Sequence, residues 1–404
     1  MLPVFDTFDF FERLLPLLVV LVPVIALIGR GRRVVLTVAG LALLWFVAPR
    51  LALFHLVFWL LVAAAQPLVA ATGERRHGLW VMWTALLVPL TPLVAWKVWP
   101  IEFVVRFNVW TDGAFVATSP FLGAVDRAFD VIGPIGLSFA AFRAADLLVK
   151  SNLGLVERQE PGRVLATGLF PPLLVVGPIA TWKETAATVE ARVPLDAERL
   201  VAGVTQILTG LFKVFVLAFL LDWSPEILAF YADNPPWRLW IGLIAYGWFF
   251  YVNFAGYSDL AIGASTLLGA DVRPNFDRPY RQTDPSAFWN SWHISLTSFL
   301  RTNVFTPIVA GHPERMYVGT VVTMMLIALW HGVTWATFVF GVYHSVALVG
   351  HRMLQARRPA SANQPVRWAK SVGVFVWFTL SLPLLQLDLG ESIDFYAAVW
   401  GWPT

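Results

Sequence analysis

The chain reads as an all-α polytopic membrane protein, with about eleven membrane-embedded helices, some of them re-entrant or interfacial, around a central channel. Composition carries the first part of this reading. Hydrophobic residues make up 58% of the 404 residues and charged residues only 14%, with a mean hydropathy of +0.67, which is far from a soluble domain. Apolar runs carry the second: a helix needs roughly 20 residues to cross a hydrocarbon core of about 30 Å, and runs near that length recur along the chain. The third is the distribution of charge, which collects in the segments between runs.

The plainest runs lie at 14–28, 34–47, 51–71, 79–99, 200–221, 239–254, 318–330, 336–349 and 371–387, and each is expected to form a spanning helix. Two shorter or broken runs, 131–149 and 165–179, are expected to span, re-enter or lie in the interface. Pro171-Pro172 and Gly177-Pro178 interrupt the second. Broken backbone at membrane depth is tolerated only where protein or a water-filled cavity covers it, so this segment is expected to help wall the channel. Between 285 and 300 the apolar positions 288, 289, 292, 296, 299 and 300 follow a helical pattern. They predict one amphipathic helix at the interface with His293 near its apolar face. No linker, low-complexity tract or internal repeat divides the chain, so residues 1–404 are read as a single domain. The polar stretch 352–370 is read as a cytoplasmic loop before the final span.

Acidic Asp6, Asp9 and Glu12 precede the first run, Arg30, Arg32 and Arg33 follow it, and Glu74-Arg75-Arg76-His77 comes two runs later. Basic loops stay in the cytoplasm, which places the amino terminus outside. The net charge of +3 and pI near 9.3 then reflect topology. No basic face with interleaved aromatics marks a nucleic-acid groove binder, and the first run lacks the basic flank of a cleavable leader. Absence of cysteine excludes disulfides, thiolate metal sites and a cysteine acyl-enzyme. No cluster of histidines and carboxylates has metal-ligand spacing, so no metal is expected. Most of the 20 tryptophans read as interfacial anchors.

Two tryptophan-flanked histidines stand out, Trp292-His293 and Trp330-His331, the second inside the apolar stretch 324–335. Ionisable groups at membrane depth usually face a bundle interior or a wet cavity and mark functional sites. Either ring alone could equally be a neutral imidazole bonded between helices. The 38 positions between them (331 minus 293) rule out a shared helix face, yet the chain can return and bring them to one buried channel. Buried charges need partners: Lys213 with Asp259, and Arg143 with Asp146 one turn apart, are candidates. Asn290 could bond a carbonyl or lie on the surface. Spans, broken helices and buried charges would also suit a transporter or lipid flippase, although the related halves common in transporters are not found.

Four ordered motifs carry a resemblance: Asn253-Phe254-Ala255-Gly256-Tyr257-Ser258-Asp259, Asn275-Phe276-Asp277-Arg278-Pro279-Tyr280, Phe288-Trp289-Asn290-Ser291-Trp292-His293-Ile294-Ser295-Leu296 and Leu329-Trp330-His331-Gly332. Together with Gly136 to Arg143, Phe170-Pro171-Pro172, Gly177-Pro178-Ile179 and Gly210-Leu211-Phe212-Lys213, they resemble the signatures of the membrane-bound O-acyltransferase (MBOAT) family over roughly 130–350. Two bacterial branches compete, one acetylating secreted polysaccharides such as alginate, the other the D-alanine transfer proteins of the teichoic acid pathway.

The resemblance implies transfer of an acyl group, acetyl favoured, from a thioester to a hydroxyl in the bacterial cytoplasmic membrane. The donor would be acetyl-CoA or an acylated carrier protein on the cytoplasmic side, with no bound cofactor. The acceptor would be a hydroxyl of an envelope polysaccharide, or an extracytoplasmic transferase that completes delivery. A hydroxyl is a poor nucleophile at neutral pH and needs a base within hydrogen-bond reach, and an imidazole with an ordinary pKa of about 6.5 suits that duty. His331 is read as the general base, and His293 as positioning the donor thioester or polarising its carbonyl. Trp289, Asn290, Trp292, Trp330, Arg143 and His344 are read as lining the channel or touching substrate, Arg143 foremost among the charged groups and His344 with a structural bond as the alternative. Thr302 after Arg301, Asn253 and Ser345 depart from the pattern, which also admits an inactive scaffold. They leave both main histidines intact.

Overall fold

The computed structural model describes residues 4–28, 31–47, 49–72, 80–87, 90–91, 136–190, 195–355 and 364–402. Among these the regular structure is entirely helical. The expected loop 74–77, most of the run 79–99, the start of the run 131–149 and the basic residues 357–358 fall outside the described residues. Four described helices are long and apolar enough to cross a membrane: Leu51–Thr72, Ala197–Leu221, Pro236–Leu267 and Pro365–Gln386. All four coincide with expected spans. The chain divides into two compact units, 2–206 with 261–272 and 207–260 with 273–404.

In the first unit, helices α1 (Val4–Leu27), α2 (Arg32–Val47) and α3 (Pro49–Thr72) are followed by α4 (Leu137–Asn152), α5 (Pro161–Gly168) and α6 (Trp182–Glu190). Arg33, at the start of α2, bridges Glu160 and Glu190, and Arg163 reaches Glu190 at 3.0 Å. The run 165–179 breaks where its prolines require: α5 ends at Gly168 and only a short 3₁₀ turn, Pro171–Leu173, follows. Its irregular backbone lies among buried residues, Phe170, Leu173, Leu174 and Ile179, so protein covers it. Gly177 has φ of +119°, and a Cβ there would stand 2.6 Å from Ala261 Cβ, which leaves room for glycine alone.

The expected Arg143–Asp146 pair does not form. Arg143 is 2% exposed. Its Nη1 donates to Thr167 O (2.9 Å) and Gly168 O (3.1 Å), and its Nη2 to Leu173 O (2.9 Å). Two of these carbonyls lack helical partners where α5 ends and the third where the 3₁₀ turn ends, and the five-donor guanidinium satisfies several at once. Asp146 instead pairs with Lys150 one turn on, at 2.7 Å, and accepts the Trp182 amide at 2.8 Å.

The second unit begins within α7 (Ala197–Phe212), which continues as a π-helical turn, Lys213–Ala218, and a 3₁₀ turn to Leu221. Then come α8 (Ser224–Ala229) and α9 (Pro236–Leu267), the latter counted here as far as Leu260. Gly210 and Gly256 let α7 and α9 approach closely: a Cβ on Gly210 would lie 2.7 Å from Gly256 O. Small residues at helix crossings permit such contact in membranes, and here it brings Lys213 Nζ onto Asp259 Oδ2. The pairing expected from sequence is present. An unpaired charge of this kind costs about 2.5–3.5 kcal/mol on insertion scales.

The rest of this unit comprises α10 (Pro285–Ser291), α11 (Ile294–Leu300), α12 (Thr306–Val309), α13 (Met316–His331), α14 (Trp335–Gln355), α15 (Gln364–Thr379), α16 (Pro383–Gln386) and α17 (Leu389–Trp400). Thr334 and Thr337 bond reciprocally, Thr337 N–H to Thr334 Oγ1 and Thr334 N–H to Thr337 Oγ1, both at 3.1 Å. That arrangement turns the chain from α13 into α14. The single amphipathic helix expected over 285–300 is two helices with a break at Trp292-His293. Its predicted apolar face is nonetheless buried: Phe288, Trp289, Trp292, Leu296, Phe299 and Leu300 all lie in the interior.

Candidate active site

Helix α10 starts because Pro285 presets its first turn and Asp284 accepts the Ala287 amide at 2.8 Å. It stops because another chain segment captures the backbone beyond it. Asp277 N–H donates to Ser291 O and Ile294 N–H to Asn275 O, both at 2.9 Å. Between these two tethers His293 takes a left-handed conformation, φ 43° and ψ 53°. Non-glycine residues held there cost on the order of 1–3 kcal/mol and cluster at functional sites. Asn275 offsets that cost, since its Oδ1 accepts from Ser295 N–H (3.3 Å), from Ser295 Oγ (2.7 Å) and from the His293 ring (3.1 Å to Nδ1).

The arrangement sets the ring's tautomer. A backbone N–H only donates, so the Asn275 atom facing Ser295 N is the amide oxygen. An oxygen there requires the proton of a neutral His293 ring to sit on Nδ1. Nε2 is left with a lone pair, and it is buried with no hydrogen-bond partner among the described residues. The whole residue is 3% exposed. A neutral His293 therefore has no N–H left to polarise a carbonyl; its open valence accepts. Phe254 stands edge-on to the ring at 4.8 Å between centroids.

Tertiary structure brings the two singled-out histidines together through one indole. His293 and Trp330 are 5.7 Å apart between ring centroids, and Trp330 and His331 4.7 Å. His331 also meets Phe340 of α14 at 6.1 Å, and Phe340 in turn packs on His344 at 4.3 Å. Unlike the buried ring expected from the apolar stretch 324–335, His331 is exposed. It is the last residue of α13, and the chain leaves the helix at Gly332 before packing resumes in α14.

The remaining expected residues separate into groups. Trp292 belongs to an aromatic core, stacked on Phe250 (5.8 Å) and Phe288 (5.5 Å) and against Phe378 (4.6 Å). His344 is fully buried, with Phe340 at 4.3 Å, Trp377 at 4.7 Å and Trp289 at 5.2 Å. Its Nε2 lies 3.0 Å from Ser381 Oγ, which spends its own proton on Phe378 O, so Nε2–H donates to Ser381. Trp289 is buried, whereas Asn290 is exposed and its Oδ1 accepts from Arg301 Nη2. Arg143, in the first unit, makes three Nη bonds to backbone carbonyls as described above. Among the described residues no three His, Cys, Asp or Glu side chains are grouped to hold a metal ion.

Asn275 and Ser295 are the residues that sequence reading missed as site components. Both stand in quoted motifs, so a signal existed. Their bonds to His293 depend on how the loop after α9 folds back, which no local pattern encodes.

Fold and site thus define a helical membrane protein in which two histidines, one at the break between α10 and α11 and one at the end of α13, meet across a tryptophan. The chain belongs to the membrane-bound O-acyltransferase (MBOAT) family, whose family model matches residues 163–383. Among curated proteins it is 28% identical over 243 residues to the "probable alginate O-acetylase" of Azotobacter vinelandii, covering 59% of this chain and 48% of that protein. It is 24% identical over 331 residues to the teichoic acid D-alanyltransferase of Streptococcus thermophilus, covering 76% and 74%. The peptidoglycan O-acetyltransferase of Helicobacter pylori is 27% identical over 191 residues, 45% of this chain and 36% of that protein. The chain spans about half the length of the alginate relatives it matches.

Proposed function

We propose that this protein is a membrane-bound O-acyltransferase of the bacterial cytoplasmic membrane. It moves an acyl group, acetyl favoured, from a cytosolic thioester to a hydroxyl on an envelope polysaccharide or on a partner protein outside. The whole chain acts as one functional domain, with about eleven embedded segments around a channel. The observation that carries the reading is the convergence of His293 and His331 on Trp330, in a family defined by O-acyl transfer.

In the reaction the acceptor oxygen attacks the thioester carbonyl, an ester C–O bond forms, and the C–S bond breaks. His331 takes the hydroxyl proton and passes it to the departing thiolate. Its exposure leaves it accessible to an incoming hydroxyl, and the carbonyls of the last turn of α13 favour the positive charge it gains. His293 holds the donor, with Nε2 accepting from an N–H of the donor arm, and Asn275 holds His293. Trp330 and Trp289 wall the space between. The donor is acetyl-CoA or an acylated carrier protein, and no metal takes part.

Acetyl transfer is favoured by relatives named for O-acetylation of alginate and peptidoglycan. D-alanyl transfer is the second reading, supported by the D-alanyltransferase match that extends over three quarters of both chains. Mass spectrometry of envelope polymers from the wild type, a deletion strain and a His331→Ala strain tests both. Loss of acetyl esters in both mutants is expected, and loss of D-alanyl esters instead would select the second reading. Esters unchanged in the deletion would favour transport, and full activity in His331→Ala would remove it as the base.

A further inference from the structure

The chain between the spans Ala197–Leu221 and Pro236–Leu267 sits where two apolar helices leave the membrane. There it forms a cleft of about 530 Å³, lined by none of the residues of the candidate active site. Three charged residues line it: Glu226 from α8, Asp233 from the 3₁₀ turn Tyr231–Asp233, and Arg238 from the first turn of α9. Opposite charges share this space, yet none of the three side chains enters an ion pair or a hydrogen bond among the described residues. Asn234, also on the lining, adds an acceptor. A carbonyl only accepts, so the Asn234 atom 2.7 Å from Phe230 O is the Nδ2 amine, which leaves Oδ1 open.

The remaining lining is aromatic and apolar. Trp223 spends its indole N–H on Leu220 O at 3.1 Å, so it brings to the cleft only a π surface, which attracts cations. Trp237 and Ile241 stand one turn apart on α9 and both line the cleft. With Ile244 and Trp248 they recur at helical spacing, and all four are exposed. This is a continuous apolar stripe running from the cleft down the span. Arg238 lies at the start of a 32-residue helix, where the dipole favours negative charge.

We propose that this cleft binds one phospholipid whose head group carries a primary ammonium, a phosphatidylethanolamine. The ammonium has three N–H donors, and Glu226, Asp233 and Asn234 Oδ1 supply three separate acceptor groups. The phosphate is matched by the Arg238 fork, and the acyl chains lie along the stripe from Trp237 to Trp248. The volume falls within the range of ligand pockets, about 300–1,000 Å³. An anionic head group lacks the ammonium, and it meets a surface where 222–241 carries three carboxylates against one guanidinium. Helix α17, packed on this turn through Tyr231–Phe395 (6.0 Å) and Trp240–Trp400 (5.3 Å), adds Asp388, Glu391 and Asp394. A sugar would use the carboxylates and the indoles but would leave the stripe and Arg238 without a role. On the topology that keeps 352–370 in the cytoplasm, α17 and the cleft lie outside, so the lipid belongs to the outer leaflet. The assignment does not rest on acyl transfer.

The test is native mass spectrometry of the full-length protein released from phosphatidylglycerol nanodiscs doped with phosphatidylethanolamine or with its N-trimethyl form, phosphatidylcholine. Methylation removes all three donors and leaves the phosphate and chains unchanged. One phosphatidylethanolamine retained per chain is expected, at least about 10-fold tighter than phosphatidylcholine, a gap equivalent to about 1.4 kcal/mol. Glu226→Gln with Asp233→Asn should lose most of that gap, whereas Arg238→Gln should weaken both lipids alike and keep it. Equal retention of the two lipids by the wild type would overturn the proposal, and that comparison needs no variant to fold. A preference unchanged in the amide pair would place the lipid elsewhere and overturn it as well. Release of the lipid by a neutral oligosaccharide such as maltotetraose would assign the cleft to sugar instead. Because no turnover is read, failure of the acyltransferase reading would leave this site standing.

Discussion

Replacing Asn275 by alanine probes the centre of the proposed site without touching either histidine. The substitution removes the acceptor that sets the His293 tautomer at 3.1 Å and that holds Ser295 N–H at 3.3 Å. A net hydrogen bond contributes about 0.5–1.5 kcal/mol, and at about 1.36 kcal/mol per factor of ten the loss of His293 orientation should lower kcat/KM for the donor by roughly 2- to 13-fold. Loss of the bonds from Ser295 N–H and Oγ to Asn275 Oδ1 costs a further 0.5–1.5 kcal/mol or so each of stability, visible as a lower melting temperature in detergent. Asn275→Asp keeps an acceptor for Ser295 N–H but sets a carboxylate against the buried ring, which favours the doubly protonated imidazole and removes the Nε2 lone pair, so stability should recover more than rate. The assay is steady-state kinetics beside ¹⁵N NMR of histidine-labelled protein, where protonated and unprotonated ring nitrogens have separate shifts. A lower melting temperature with unchanged kcat/KM and unchanged His293 shifts would make Asn275 purely structural and refute the positioning role. A fall in kcat beyond about 100-fold, more than one neutral hydrogen bond can supply, would move the general base from His331 to His293.

Further substitutions address neighbouring features. His331→Ala should abolish acyl transfer while barely moving the melting temperature, because the ring is exposed. His344→Ala should instead destabilise by about 2–5 kcal/mol, by analogy with other large-to-small core changes, through loss of its aromatic enclosure and its bond to Ser381; equal thermal shifts for the two variants would contradict this division. Gly210→Ala drives a Cβ to 2.7 Å from Gly256 O and 2.9 Å from Leu260 N, backbone atoms that cannot rotate away, so thermal unfolding should report a loss of about 1–3 kcal/mol. Asp259→Asn leaves Lys213 without its carboxylate, at a cost of about 2.5–3.5 kcal/mol. The folded yield should fall sharply, and Lys213→Met with Asp259→Leu should restore much of it; no restoration would mean the pair does more than neutralise charge.

Local patterns carried the reading where one element suffices. Helices such as Leu51–Thr72 and Pro236–Leu267 are legible because a run of apolar side chains in lipid has no better way to satisfy its backbone. The stop at Gly168 is legible because Pro171-Pro172 cannot continue a helix. Side-chain partnership was less so. Lys213 and Asp259 met as expected, since neither has an opposite charge one turn away along its own helix. Arg143 and Asp146 did not, because a frayed helix end supplied the arginine with carbonyls and Lys150 stood one turn from the aspartate.

By itself the sequence determined the class of protein, most of its helices, the family and the two histidines worth examining, because hydropathy, helix-breaking residues and ordered motifs are written along the chain. Tertiary structure alone decided that the helix over 285–300 breaks at His293, that Asn275 leaves Nε2 of that ring as the acceptor, that His331 is exposed at a helix end, and that one cleft gathers Glu226, Asp233 and Arg238. These depend on contacts between residues well apart in the chain, as between Asn275 and His293, 18 positions on. Their geometry follows from how loops return and helices pack, and no repeat of 3.6 residues encodes that return.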